Sequence, residues 1–174
     1  MSAGGAGSER SLPPIRRTIT VPLPLADAFD LFVRRLPEWW PLSTRSVGGA
    51  EAASCHVEAR VGGRLFERSI RGDESTWGAF IVFDEPGRVV FTWHPGAISD
   101  SATEVEVNFV PNGATTLVVL EHREWERLGE RASFIRALFD GGWTPVLQRF
   151  EALARGMSEL PDVVGPGCID AARH

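Results

Sequence analysis

The chain has 174 residues, of which 43% are apolar and 24% charged, and its formal net charge is -5. A chain of this length buries roughly 70% of its unfolded surface, so its core needs neither metal nor disulfide bonds. The acidic balance argues against nucleic acid as a partner, because phosphate binding needs a basic face. The sequence also lacks the run of roughly 20 apolar residues that a membrane span requires.

Composition along the chain predicts one folded domain with loose ends. Residues 1–13 are small and polar, which is typical of a disordered leader, and the Gly- and Pro-rich stretch 156–174 indicates a loose tail. The folded unit is expected at 14–155. The polar start does not resemble a secretory signal, and Cys55 and Cys168 have no metal-ligand spacing. These features predict a cytoplasmic protein with two free thiols.

The first elements are a strand and two short helices. Apolar residues alternate over Ile15–Val21, which predicts a strand, and helical spacing follows over Leu25–Val33. A short turn at 37–41 contains Trp39 and Trp40 between two prolines. Adjacent residues cannot share one helical face, so these two tryptophans must meet different surfaces.

From residue 54 to residue 123 the period changes to two, which predicts antiparallel strands joined by turns. Gly62-Gly63, Glu85-Pro86-Gly87 and Asn112-Gly113 are the turn signals. The six strands predicted between these signals are 54–61, 64–70, 77–83, 88–94, 103–110 and 114–123. For the pair around Pro86 we expect Phe91 and Trp93 to face inward, although the register is open there.

The Asn112-Gly113 turn predicts which face of its hairpin is buried. In a two-residue hairpin Pro111 would oppose Ala114, and Thr103 would then pair with His122. Most residues on that face are apolar, among them Val105, Val107 and Phe109, so the face and His122 with it are expected to point inward. The sequence leaves two roles open for it, a core histidine with satisfied hydrogen bonds and a polar contact to a ligand.

The last predicted element is an amphipathic helix over 142–155, with a further helical turn or two in 130–139. We place Pro145 in the first turn of that helix, where its missing N–H is harmless. One strand, two short helices, six further strands and a long helix make an α+β domain. A curved antiparallel sheet of about seven strands wraps the long helix, which leaves a cleft suited to a small molecule.

Metal, cofactor and nucleophile chemistry find no support in the sequence. His56, His94 and His122 lie on different predicted strands, and those of His94 and His122 stand about 9 to 10 Å apart. A shared Zn²⁺ needs bonds of about 2 Å. The chain also lacks an HExxH motif, a CxxC pair, a Gly-rich phosphate loop and a Gly-x-Ser-x-Gly elbow. We therefore predict no metal, no cofactor and no catalytic residue.

Five segments in order resemble one known family. They are EWWP (38–41), VGGRLF (61–66), PGRVVFTW (86–93), TEVEVNF (103–109) and GWTPVL (142–147). They look like the bacterial SRPBCC proteins, and more narrowly like the type named for the C-terminal domain of the activator of the heat-shock-protein-90 ATPase. The resemblance implies a helix-grip (START-like, Bet v 1-like) fold over 14–155, with a cavity between sheet and helix, and an association with the stress response.

The leading functional hypothesis is a cytoplasmic protein that binds a small apolar or aromatic molecule in this cavity. Aromatic residues would give the cavity its shape, and His122 would supply one directional hydrogen bond. The residues expected to line it are Trp39, Trp40, Phe66, Trp93, Phe109, His122, Trp143 and Leu147.

Two alternatives stay open. The first is a polyketide cyclase- or dehydratase-like enzyme that uses His122 as acid and base. The second is a module that contacts a chaperone through an acidic outer sheet face of Glu104, Glu106 and Glu121. The sequence also leaves a homodimer open, and it does not identify the ligand.

Overall fold

The computed structural model describes residues 11–164, so Cys168 and the outer parts of the predicted leader and tail lie outside it. The strands are β1 (Ile15–Val21), β2 (Ala52–Val57), β3 (Arg64–Ser69), β4 (Glu74–Asp84), β5 (Arg88–Trp93), β6 (Thr103–Asn112) and β7 (Thr115–Arg123). The helices are α1 (Leu25–Val33), α2 (Leu36–Trp39) and α3 (Ala132–Ala154), and three short 3-10 segments cover Gly49–Glu51, Ser99–Ser101 and Trp125–Arg131.

All seven strands form one antiparallel sheet in the order β1-β7-β6-β5-β4-β3-β2. The sheet curls around α3, and the core lies between them with α1 and α2 closing one side. This confirms the predicted α+β, helix-grip architecture. No helix within residues 11–164 has the length and apolar character to cross a membrane.

The β6–β7 hairpin has a different register from the predicted one. Asn112 pairs with Thr115, so the two loop residues are Gly113 and Ala114 instead of Asn112 and Gly113. Gly113 alone in this turn has a positive φ, 62°, as in a type II′ turn, which needs glycine only at its first central position. His122 therefore opposes Val105, two residues from the predicted partner. An even shift preserves the face, so His122 points inward as predicted.

Inward orientation is also confirmed on β5, where Phe91 and Trp93 are buried in the core and Thr92 is half-buried. The prediction for the last helix was wrong in its start. Helix α3 is continuous from Ala132, so Pro145 lies inside it and not in its first turn.

Arg17 contacts α3 one turn before Pro145, next to the Gly141 carbonyl that the missing N–H of Pro145 leaves without its helical partner. Its guanidinium donates to the carbonyl oxygen of Asp140 at 2.6 Å, to the carboxylate of the same residue at 2.9 Å and to the hydroxyl of Thr144 at 3.0 Å. Burial of Ile135 on the preceding turns also favours helix through this segment. Strand β1 is thus tied directly to the middle of α3.

Residues 156–164 follow α3 and pack back onto the domain. Val163 is buried, and Arg149 donates to the carbonyl oxygen of Pro161 at 2.8 Å. The rest of the predicted tail, 165–174, lies outside the described residues.

Candidate functional site

Four tryptophans fill the space between the sheet and α3. We call Trp40, Trp77, Trp93 and Trp143 the four-tryptophan cluster. Trp40 touches the other three, with ring centroids 5.4 to 6.4 Å apart, and all four are buried. The centre of the expected cleft is therefore occupied by packed side chains, which leaves free space only at the margins of the cluster.

His122 lies beside this cluster in a continuous chain of hydrogen bonds that runs from Trp143 to the backbone of Trp93. The indole N–H of Trp143 donates to Nδ1 of His122 at 3.1 Å, and Nε2 of His122 lies 2.7 Å from the hydroxyl oxygen of Thr103. The Thr103 hydroxyl in turn donates to the carbonyl oxygen of Trp93 at 3.1 Å. An indole N–H can only donate, so Nδ1 must be unprotonated and Nε2 carries the proton that Thr103 accepts.

The surroundings of His122 favour the same neutral form. The side chain is fully buried, with Trp125 and Phe139 packed on the imidazole at centroid distances of 4.1 and 4.9 Å. Burial lowers the pKa of His122 well below its ordinary value, because the charged imidazolium would lose its hydration. Both ring nitrogens are hydrogen-bonded, as in the core-histidine role that the sequence left open.

A cavity of about 150 Å³ lies where β5 ends and β6 begins, beneath the start of α3. Its floor is mainly apolar, and its rim carries arginine, histidine and serine side chains. The residues that line it are Trp93, His94, Pro95, Ala97, Ser101, Thr103, Arg127, Leu128, Arg131, Ile135 and Phe139. An apolar cavity of roughly this volume can accommodate a single aromatic ring.

A second cavity of about 10 Å³ lies deeper, between the four-tryptophan cluster and α3. It is at the lower limit for one water molecule. Trp93 and Phe139 line both cavities, so they form the wall between them.

The 3-10 segment Trp125–Arg131 forms one side of the larger cavity. Glu124, the residue before this segment, has a left-handed φ of 69°. Gly129, within the segment, has φ 59° and ψ -135°. Trp125 anchors the segment by donating from its indole N–H to the carbonyl oxygen of His122 at 3.1 Å. Arg127 ties it to β6, with bonds of 3.3 Å to the carbonyl oxygen of Ala102 and 3.2 Å to Glu104.

The structure brings only some of the predicted cavity residues to these two cavities. Trp93 lines both, and Trp40 and Trp143 line the smaller one. His122 stands behind the wall of the larger cavity, since Thr103 lines that cavity and bonds to His122.

The other four predicted residues are buried away from these cavities. Trp39 and Leu147 lie in the core, and Phe109 packs against the rings of α1. Phe66 lies on the opposite face of β3 from its neighbours Leu65 and Glu67. It stacks on His56 at 5.0 Å, with the Arg64 guanidinium 4.2 Å from its ring centre. A sequence pattern that predicts burial therefore does not show whether the residue lines a cavity or packs in the core.

Sequence reasoning missed the loop 94–102 and the segment Trp125–Arg131, which supply most of the larger cavity. The sequence did contain a signal for the loop. Pro95-Gly96 ends β5, and the connection from there to β6 is too long for a tight hairpin. A longer connection at that point has to cross the end of the sheet, and binding residues often lie in such loops.

The outer sheet face is less acidic than its sequence indicated. Arg123 forms ion pairs with Glu104 at 3.4 Å, Glu106 at 2.7 Å and Glu121 at 3.5 Å. Burial alone would raise the pKa of Glu106, but hydrogen bonds from Asn108 and Arg123 outweigh it and lower that pKa to about 2. The three carboxylates on which the docking hypothesis depends are thus paired with arginine inside the protein.

Other reactive groups of the described chain are not arranged as a site. Within residues 11–164, no three His, Cys, Asp or Glu side chains come together as a metal centre would need. Cys55 is a buried free thiol, and burial, with the nearby charge of Glu67, raises the pKa of Cys55 to about 12. A thiol with that pKa carries almost no thiolate at neutral pH.

The chain resembles known proteins over most of its length. The sequence model of the family described as "Activator of Hsp90 ATPase homolog 1-like protein" matches residues 22–155. No curated protein sequence matches the chain significantly.

Solved structures give closer comparisons. A protein described as the anthrahydroquino-gamma-pyrone synthase Txn09, complexed with SUM, is 35% identical over 82% of this chain and 97% of its own, with a TM-score of 0.58. The self-sacrificing resistance protein CalC from Micromonospora echinospora is 28% identical over 84% of this chain and 97% of its own, with a TM-score of 0.61. A protein from Arthrobacter aurescens shares the fold at 14% identity, covering 84% of this chain and 88% of its own, with a TM-score of 0.60.

Proposed function

The chain belongs to the family of activator of Hsp90 ATPase homolog 1-like proteins, and we propose that it binds a small apolar or aromatic molecule. The proposed site is the cavity of about 150 Å³ at the end of the sheet. Its apolar floor would hold one ring of the ligand, and the polar rim would face the part that stays near solvent.

The observation that carries this proposal is the position of that cavity. It opens between the sheet and the start of α3, and the four-tryptophan cluster closes the space beyond it. The cavity is mainly apolar and carries a few polar groups at its open side, which is the usual character of a small-molecule site. The similarity to the synthase described as complexed with SUM adds support.

A thermal-unfolding screen with neutral aromatic and aliphatic compounds tests the proposal. A ligand at one hundred times its Kd adds about 2.7 kcal/mol to the free energy of unfolding. For a domain of this size that is a rise in Tm of roughly 5 to 10 °C. A broad panel that leaves Tm unchanged would contradict the proposal.

A pair of variants locates the binding site. Ala97 is exposed and lines the cavity, so Ala97→Phe should fill it and weaken binding at least about tenfold. Ala26 is exposed on α1 and does not line the cavity, so Ala26→Phe is the matched control and should bind normally. Equal binding by the Ala97 variant and the unmodified protein would place the ligand elsewhere.

A second candidate is a ring-forming enzyme, which the 35% identity to an anthrahydroquino-gamma-pyrone synthase favours. In this arrangement His122 would reach a substrate through the hydroxyl of Thr103, which lies between the imidazole and the cavity. Proton transfer by a positioned side chain contributes typically 10² to 10⁴ in rate.

That second candidate has its own test. His122→Gln and Thr103→Val should each lower turnover of an aromatic polyketide substrate at least about a hundredfold while circular dichroism shows an intact fold. Unchanged turnover in either variant would reject this proton path.

A contact with a chaperone rests on the family name, and the cytoplasmic location and a homodimer stay predictions from the sequence.

A further inference from the structure

One tryptophan differs from the others in its hydrogen bonding. Among the six indole N–H groups, those of Trp39, Trp40, Trp77, Trp125 and Trp143 donate to protein acceptors at 2.7 to 3.1 Å. The Nε1 atom of Trp93 is buried without a partner among residues 11–164. An unpaired buried donor of this kind is unfavourable and uncommon in folded proteins.

The unpaired donor also belongs to a side chain that lines the proposed binding cavity. Trp93 is 4% exposed and lines both cavities, so it separates the larger space from the smaller one. Its Nε1 is closed to solvent in this conformation. To reach a ligand in the larger cavity the indole would have to turn, and because its N–H holds no bond within the protein, turning breaks no hydrogen bond.

We propose that the ligand is an aromatic molecule with a neutral acceptor oxygen, such as an aryl ketone, and that this oxygen accepts a hydrogen bond from Nε1 of Trp93. The inference rests on the proposed binding function of the same cavity. Trp93 acts as the specificity-determining donor, because a ligand with an acceptor pairs an N–H that is otherwise buried without a partner, whereas a ligand without one gains nothing there.

Within residues 11–164 the cations near the donor are already engaged, including Arg45, which lines the smaller cavity with Trp93, so we expect a neutral acceptor. Trp93 is surrounded by the rings of Phe91, Trp40 and Trp77 at 5.8 to 5.9 Å. At the rim, Arg127 is bonded to Glu104 and the backbone, and Arg131 is likewise engaged within the protein. A carboxylate placed among aromatic rings would lose its hydration without an ionic partner.

Two ligands of nearly the same shape test the inference. Acetophenone has a carbonyl oxygen where α-methylstyrene has a methylene group, so their affinities differ mainly through that atom and through hydration. Titration calorimetry gives the ratio of their Kd values for the unmodified protein and for Trp93→Phe. In Trp93→Phe the loss of one hydrogen bond should weaken acetophenone binding about fivefold relative to α-methylstyrene binding.

Trp39→Phe is the matched control. Trp39 is as deeply buried, its N–H is bonded to the carbonyl oxygen of Leu31 and it lines neither cavity. Its substitution should leave the ratio unchanged. In the unmodified protein, acetophenone should also move the indole proton signal of Trp93 downfield in ¹H–¹⁵N spectra, and benzoate should bind more weakly than acetophenone.

The outcomes separate this inference from the binding function. If both ligands bind and Trp93→Phe leaves their ratio unchanged, the donor role is wrong and the cavity function stands. An N–H directed at a neighbouring ring would give that result. If neither ligand binds while other compounds of the screen do, the inference alone fails. If no compound of the screen binds, both proposals fail.

Discussion

The indole of Trp143 on α3 donates its N–H to Nδ1 of His122 on β7, across the junction between helix and sheet. This bond fixes the tautomer of His122 and presents its Nε2–H to Thr103 in the cavity wall. The helix, the sheet and the larger cavity are therefore linked by one chain of hydrogen bonds, and a change at His122 acts on all three.

Replacing His122 by phenylalanine keeps a ring of similar shape but leaves the N–H of Trp143 unpaired. We expect His122→Phe to lower the free energy of unfolding by about 2 kcal/mol, because a buried orphan donor costs about 1 to 3 kcal/mol. Urea denaturation measures the change. His56→Phe is the control, since His56 is only half-buried and stacks on Phe66, and it should lower stability by less than about 0.5 kcal/mol.

The lowered pKa of His122 predicts a pH dependence of stability. Below the ordinary histidine pKa of about 6.5, the unfolded chain binds a proton at this position that the folded protein does not. Stability should therefore fall as the pH drops from about 6.5, by up to about 1.4 kcal/mol per pH unit from this group. The stability difference between the unmodified protein and His122→Phe isolates the effect. A difference that stays constant between pH 7 and pH 5 would contradict it.

Glu67 holds the loop before β2 against the sheet. Its buried carboxylate accepts the backbone N–H groups of Val47 and Gly48 at 2.8 and 2.6 Å and the indole N–H of Trp77 at 2.7 Å. Glu67→Gln replaces one acceptor oxygen with an NH₂ donor, so we expect a loss of about 2 to 3 kcal/mol in chemical denaturation. Glu74→Gln, at a more exposed ion pair, should cost at most about 1 kcal/mol.

Two glycine substitutions should change stability in opposite directions. A Cβ at Gly78 would lie 1.7 Å from the carbonyl oxygen of Thr92 on the paired strand, so Gly78→Ala should cost about 3 kcal/mol or more. Gly141 is exposed within α3 and a Cβ there meets nothing within 4 Å. Gly141→Ala should therefore raise the free energy of unfolding by about 0.5 to 1 kcal/mol. Thermal unfolding of both variants would show a Tm shift of opposite sign, and a stable Gly78→Ala would contradict the strand packing.

The sheet could be predicted well because the alternation of apolar and polar residues indicates the buried face of a strand even where the predicted register is wrong. The β6–β7 register differs by two residues from the predicted one, yet His122 still points inward, since an even shift preserves the face. The start of α3 was missed because Asp140-Gly141-Gly142 reads as a break, and only tertiary burial and the bonds from Arg17 favour helix there.

The candidate site was harder to predict than the fold. Burial of Trp39, Trp40, Trp93 and Trp143 follows from their apolar faces, but the space left between such rings depends on rotamers and distant contacts. Their packing closes the centre and leaves free volume at the end of the sheet. The ion pairs between arginine and glutamate on the outer face could not be predicted either. Strand alternation indicates which face a side chain lies on, but not which residue of the neighbouring strand it pairs with.

A crystal structure grown with acetophenone would show whether the cavity beside Trp93 binds an aromatic ligand. We expect electron density for the ring against Ile135 and Phe139, with the ketone oxygen within hydrogen-bond distance of Nε1 of Trp93. If the ligand lies elsewhere, while this cavity and the Trp93 ring stay as they are without it, the proposed binding site is wrong.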